Sequence, residues 1–340
     1  WDNSVLDLKA SYEGVYVRSI SAADVDQDGG LEILTAGQTF DDEKARAQLS
    51  VWGWNGTRLV LEGNVEWGSG GGGRANSVYA YDMDNDEEVE IITGGYVNDL
   101  MNSSGQLCIW HWDGEEFSRE GDVEWQIKEG DGASFAGNPF GNTLINNLKV
   151  GDVDGDGVAE VVTGGFTYDG EEVMADLRIW NWDGEKIRVE KNHQWMKENI
   201  TEIKALALDD VDNDELLDIV TSGNTASYAG FDDEEGTPPE TAQLKIWSWN
   251  GETLTLERDE EWQVGDGVCP WNVDTGDVDG DGTVEILTVG CMYVSDLCDP
   301  DLRIWSIEGN SDHSLYPILA VLGGVTALVL IFLFLRKRRD

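Results

Sequence analysis

Five copies of one acidic loop constrain this chain more than any other feature. Each reads Asp-x-Asp-x-Asp, with a further carboxylate four residues after the third Asp. The copies are Asp24-Asp26-Asp28-Glu32, Asp82-Asp84-Asp86-Glu90, Asp152-Asp154-Asp156-Glu160, Asp210-Asp212-Asp214-Asp218 and Asp277-Asp279-Asp281-Glu285. Four carboxylates within nine residues repel one another, and a hard divalent cation removes the conflict. Oxygen ligands at alternating positions suit calcium, so up to five calcium sites are expected.

The first Asp of successive loops recurs after 58, 70, 58 and 67 residues, a period that points to a propeller, a solenoid or an array. The rest of the unit repeats as well. An apolar run ending in Thr follows each loop: Ile33-Leu34-Thr35, Ile91-Ile92-Thr93, Val161-Val162-Thr163, Ile219-Val220-Thr221 and Ile286-Leu287-Thr288, with a Gly one or two residues on. Next comes a Leu-x-Ile/Val-Trp-x-Trp strand at Leu49–Trp54, Leu107–Trp112, Leu177–Trp182 and Leu244–Trp249, with Leu302–Ile307 as the fifth copy. Asn55-Gly56, Asp113-Gly114, Asp183-Gly184 and Asn250-Gly251 then signal hairpins. A last alternating run ends at Trp67, Trp125, Trp195 or Trp262. Each unit reads as four short strands, and four antiparallel strands repeated radially make a β-propeller.

The expected fold is therefore all-β: a propeller of five four-stranded blades. The fifth unit stops after its third strand near Gly309, and residues 4–12 carry a spare alternating run. That N-terminal strand is expected to complete the last blade and close the ring, which removes exposed edges. A fragment of a larger ring is the competing arrangement, because the chain starts at Trp1.

Residues 15–309 resemble FG-GAP/VCBS-type repeats, the calcium-loop propeller units also found in integrin alpha subunits. The resemblance implies that carboxylates at loop positions one, three, five and nine bind calcium together with the position-seven carbonyl, here of Gly30, Glu88, Val158, Leu216 and Thr283. It speaks to fold and metal, and little to function. Position six is Glu87 in the second loop and Glu215 in the fourth, where Gly would ease a left-handed turn; the sites at 82–90 and 210–218 are expected to be weaker or to lean on the extra charge.

Sixty-eight acidic against 22 basic residues leave a formal charge of −46. Twenty of the acids are the expected ligands, and five calcium ions would offset ten charges. The remaining acidity argues against nucleic-acid binding, which needs a basic footprint. Residues 315–335 hold no charge and are followed by Arg336-Lys337-Arg338-Arg339. The pattern reads as a transmembrane helix with its basic end in the cytoplasm. The expected domains are thus a propeller at 1–309, a linker at 310–314, a single span at 315–335 and a basic tail at 336–340. This places the propeller at the cell surface, with a leader removed before Trp1.

Four cysteines leave two pairings open, Cys269 with Cys291 or Cys291 with Cys298, and Cys108 reads as a buried thiol. Most of the 15 tryptophans sit at fixed repeat positions and read as packing between blades. Trp271 lies outside the pattern and is the candidate for an exposed platform. Three inserts break the repeat, Gln126–Asn147 (with Phe135 and Phe140), Ala229–Thr241 and Cys291–Pro300, and recognition is expected on such loops. The function expected is adhesion, recognition or cell-envelope structure. The partner would be an unidentified extracellular protein or glycan, or further copies of the chain. An extracellular polysaccharide-acting enzyme and an assembly subunit of a membrane complex are the alternatives. No nucleophile motif or His-based acid/base pair stands out for the enzyme.

Overall fold

The computed structural model describes residues 16–41, 44–99, 103–126, 143–169, 172–227, 240–294, 297–307 and 316–320. The chain divides into two compact units, residues 1–152 with 156–194, and 153–155 with 195–340. All regular structure among the described residues is strand.

In the first unit β1 (Tyr16–Ala23), β2 (Glu32–Asp41), β3 (Lys44–Trp54) and β4 (Leu59–Trp67) form one antiparallel meander. A second is β5 (Gly72–Tyr81), β6 (Glu90–Asn98), β7 (Ser103–Trp112) and β8 (Phe117–Trp125). A third joins β9 (Thr143–Gly151), β10 (Glu160–Tyr168), β11 (Val173–Trp182) and β12 (Ile187–Trp195), whose last residue, Trp195, belongs to the second unit. The second unit holds β13 (Ile200–Asp209), β14 (Asp218–Ala226), β15 (Thr241–Trp249) and β16 (Leu254–Trp262). Its second meander is β17 (Gly267–Gly276), β18 (Glu285–Val294), β19 (Leu297–Ser306) and β20 (Tyr316–Ala320). Each acidic loop links the first two strands of a meander.

Burial explains the sequence pattern. Second strands such as β14 are buried throughout, so they read as unbroken apolar and small runs. Fourth strands such as β8 and β16 keep most positions open to water and tolerate charge. The Asn-Gly and Asp-Gly pairs open four-residue connections rather than two-residue turns, because the Asx side chain caps the connection. Asn55 Oδ1 accepts the amides of Thr57 and Arg58, and Asp113, Asp183 and Asn250 repeat the pattern.

The repeated Thr and Trp positions form one device. The indole of Trp52 donates to Thr35 Oγ1 at 2.9 Å, and Trp110–Thr93, Trp180–Thr163, Trp247–Thr221 and Trp305–Thr288 do the same. The Trp ending a fourth strand stacks on the third-strand Trp of the following meander. In the first unit Trp67 meets Trp110 at 4.9 Å and Trp125 meets Trp180 at 4.7 Å. In the second, Trp195 meets Trp247 at 5.2 Å and Trp262 meets Trp305 at 5.1 Å. Such pairs contribute about 0.5–1.5 kcal/mol beyond their burial. Apart from exposed Trp54, the described tryptophans at repeat positions thus do the packing expected of them. Buried Arg178 and Arg303 lie over these rings and bond Asp176 and Asp301. Cys108 stands at the repeat position of Arg178 and is a buried free thiol.

A second repeated device was not expected. Every first strand carries a β-bulge in the same register, at Arg18, Asn76, Asn146, Lys204 and Trp271. The residue before each bulge faces a Gly two positions after the repeat Thr: Gly37, Gly95, Gly165, Gly223 or Gly290. A Cβ at any of these glycines would run into a carbonyl oxygen of the bulged strand. Gly is therefore required by close backbone approach, and the bulge re-aims the side chain it carries.

The C-terminal region differs from its sequence reading. Tyr316–Ala320, the start of the apolar stretch expected to span a membrane, is strand β20 paired with β19. It fills the fourth-strand place that residues 4–12 were expected to take. A strand nine residues from the end of β19 needs a far shorter closing loop than one from the other chain end, and its apolar composition suits either structure. Among the described residues no helix is long and apolar enough to cross a membrane. Residues 1–15 and 321–340 lie outside the described residues, as do Phe135 and Phe140 of the first insert. Of the two cysteine pairings, Cys291–Cys298 is the disulfide; Cys269 opposes Cys291 across β17 and β18 yet stays a buried thiol.

Candidate metal centres

Each loop begins where a first strand ends and closes where the second begins, so one hairpin positions all of its carboxylates. The position-one Asp folds back over the turn. Asp82 Oδ1 accepts the amide of Asp86 at 3.2 Å and its Oδ2 that of Glu87 at 3.1 Å. Asp152, Asp210 and Asp277 take the corresponding amides, and Asp24 takes that of Gly29. The position-five Asp accepts the position-seven amide in every loop, from Gly30, Glu88, Val158, Leu216 and Thr283. The position-nine carboxylate turns inward. Glu32, Glu90, Glu160, Asp218 and Glu285 are all buried. Glu32, Glu90, Asp218 and Glu285 bond the position-two amides of Val25, Met83, Val211 and Val278.

Oxygens from three carboxylates of each loop lie within 4.8 Å of one another: Asp24, Asp26 and Glu32; Asp82, Asp84 and Asp86; Asp152, Asp154 and Glu160; Asp210, Asp212 and Asp218; Asp277, Asp279 and Glu285. Four of these groups thus unite positions one, three and nine, and the second unites one, three and five. Asp28, Asp156, Asp214, Asp281 and Glu90 stand in their loops but outside these closest groups. Burial first, then repulsion from the loop aspartates, pushes Glu90 and Asp218 up to about 7 and raises Glu32 and Glu285. Asp24 Oδ1 is buried with no hydrogen-bond partner among the described residues. Convergent hard oxygens, a buried carboxylate resisting ionisation and an orphan acceptor all fit a divalent cation such as calcium.

The position-six expectation holds in the backbone. Glu87 and Glu215 have φ of 76° and 75°, in the left-handed region that Gly29, Gly157 and Gly282 occupy elsewhere. Position four is left-handed as well, at Gln27, Asn85 and Asn213, which sequence reasoning missed. The alternation of Asn, Gln and Gly at that place was the available signal. Two of these side chains link loops within the first unit: Gln27 Nε2 donates to the Glu87 carbonyl at 2.7 Å, and Asn85 Nδ2 donates to that of Gly157 at 3.4 Å.

These features define the class: an all-β protein of repeated four-stranded meanders, with acidic loops fit for a hard cation. No protein-family model matches the chain, and no curated protein does. Among solved structures it is similar to a Penicillium chrysogenum alpha-L-arabinanase complexed with arabinobiose, with TM-score 0.54 and 10% identity over 85% of this chain and 77% of that one. It also matches Chaetomium thermophilum Sqt1, with TM-score 0.46 and 11% identity over 87% of this chain and 71% of that one. A Bacillus licheniformis rhamnogalacturonan lyase gives TM-score 0.46 and 14% identity over 92% of this chain and 66% of that one. At 10% identity the likeness to the arabinanase speaks to fold alone.

Proposed function

We propose that this chain is a calcium-stabilised recognition scaffold of the outer cell face, its five meanders serving as propeller blades. The repeated loop carries the reading. A divalent cation held in each loop would bind three or four carboxylates at once, offset two of their charges and pin the hairpin that joins the first two strands. Strands braced in this way hold the variable positions of each meander rigid, as recognition requires. The Cys291–Cys298 disulfide supports an oxidising, extracytoplasmic setting. Calcium at 100 times its dissociation constant would contribute about 2.7 kcal/mol per site. Thermal melting of the full chain in calcium and in excess chelator tests the scaffold. A large drop in melting temperature is expected, and an unchanged melt would sink the calcium reading. Calcium-dependent capture of a partner from envelope proteins or polysaccharides tests recognition.

A second reading, cleavage of a polysaccharide, is favoured by one observation. Glu240 lies outside the acidic loops, and burial raises its carboxyl above the usual range, as a general acid requires. Release of new reducing ends from a polysaccharide incubated with the calcium-loaded chain would establish it.

A further inference from the structure

The two bulges of the second unit, at Lys204 on β13 and Trp271 on β17, lie over one polar cluster. Lys204 forms an ion pair with Glu202. Burial opposes the Lys204 charge, but the carboxylates of Glu202 and Glu240 outweigh it and hold the amine above its ordinary range. Glu240 immediately precedes β15, and its carbonyl accepts the Val268 amide at 2.9 Å, which ties it to β17. Its Oε2 is buried and has no hydrogen-bond partner among the described residues. Cys269 is kept a thiol, pushed up to about 12 chiefly by burial, and donates to Asn224 Oδ1 at 3.8 Å. Trp271 stands two residues beyond Cys269 on β17, and it is 60% exposed. The described tryptophans of the repeat are buried or half-buried, apart from Trp54.

We infer that Trp271, Lys204, Glu202 and Glu240 form a binding site for a neutral oligosaccharide. An exposed indole beside half-buried polar groups offers what a sugar needs, an apolar face for its C–H surface and charged partners for its hydroxyls. Hydroxyl groups both donate and accept, so one sugar can donate to the Glu240 oxygen that lacks a partner and accept from the Lys204 ammonium. Two carboxylates against one lysine, in a chain of charge −46, disfavour an anionic glycan. The bulges supply the reason these side chains project here while the strands around them stay in register. The inference rests on the recognition reading and gives it a ligand class.

The test is titration calorimetry of the full chain in calcium. The probes are neutral gluco-, manno- and galacto-oligosaccharides, with uronate oligosaccharides beside them. Binding of a neutral probe is expected, weakened about tenfold or more by Trp271→Ala. Trp271→Phe should restore part of the affinity, and Glu240→Gln should weaken binding with the melt unchanged. Three results would each overturn the inference: no neutral probe bound by a chain that melts normally, affinity indifferent to Trp271→Ala, or preference for uronates. Calcium-dependent capture of a protein without any sugar binding would also overturn it and leave the recognition reading standing. A melt indifferent to chelator would remove the calcium reading and leave the sugar result to be judged by itself.

Discussion

The acidic loops and the first-strand bulges are both repeated five times, yet they behave oppositely. The loops keep their side chains constant and bend the backbone to suit them; Glu87 and Glu215 even hold left-handed geometry without glycine. The bulges keep their backbone constant and let the side chain change, from Arg18 through Asn76, Asn146 and Lys204 to Trp271. The glycine opposite each bulge is the fixed element there. A position held rigid in geometry and free in chemistry is where one scaffold can acquire recognition, whereas a position fixed in chemistry holds the scaffold together.

Substitutions at the two places should separate these roles. The largest effect is expected from Gly223→Ala, where the new Cβ would strike the Glu202 carbonyl; about 3–5 kcal/mol should be lost in urea unfolding. A near-normal midpoint would show that the bulge backbone can relax and would dissolve the contrast. Asp152→Asn should remove one calcium from the calorimetric count and about 2–3 kcal/mol of calcium-dependent stability. An unchanged count would remove the third loop from the metal set.

The pH response should reverse with metal. Glu90 and Asp218 titrate near 7 in the folded chain against ordinary values of 4.5 and 3.8, so the metal-free fold binds protons that the unfolded chain releases. That stability is present below pH 4 and is lost as pH rises through 7, so melting in chelator should fall between pH 5 and pH 8. In saturating calcium the same interval should show a rise, because protons then compete with the ion. Parallel slopes in both buffers would mean that these carboxylates do not face the cation.

Smaller effects sharpen the comparison further. Glu87→Gly should add about 1 kcal/mol to metal-free stability by relieving the left-handed residue. Arg18→Ala, at an exposed bulge, should stay within about 0.5 kcal/mol of the parent. A large loss at Arg18 would give the bulge side chains a structural role.

Much of the molecule was legible in its sequence because the interactions that build it are local. The four strands of each meander, the Asx-Gly connections, the acidic hairpins and the strained position six all follow from residues a few places apart. The repeat then multiplied each signal. The glycines two places after Thr35, Thr93, Thr163, Thr221 and Thr288 were visible as a pattern, but their cause was not. That cause is a carbonyl on the neighbouring strand, and sequence alone carries no distances between strands. The same limit hid which tryptophan stacks on which and why Cys298 rather than Cys269 pairs with Cys291. It also hid the turn of Tyr316–Ala320 into an edge strand, since a short apolar run reads alike as strand or helix until a partner edge is known. Chain-local chemistry determined the unit and its cation loops. Only tertiary packing decided which variable side chains meet, and at Lys204, Glu240 and Trp271 it brought together residues up to 67 positions apart.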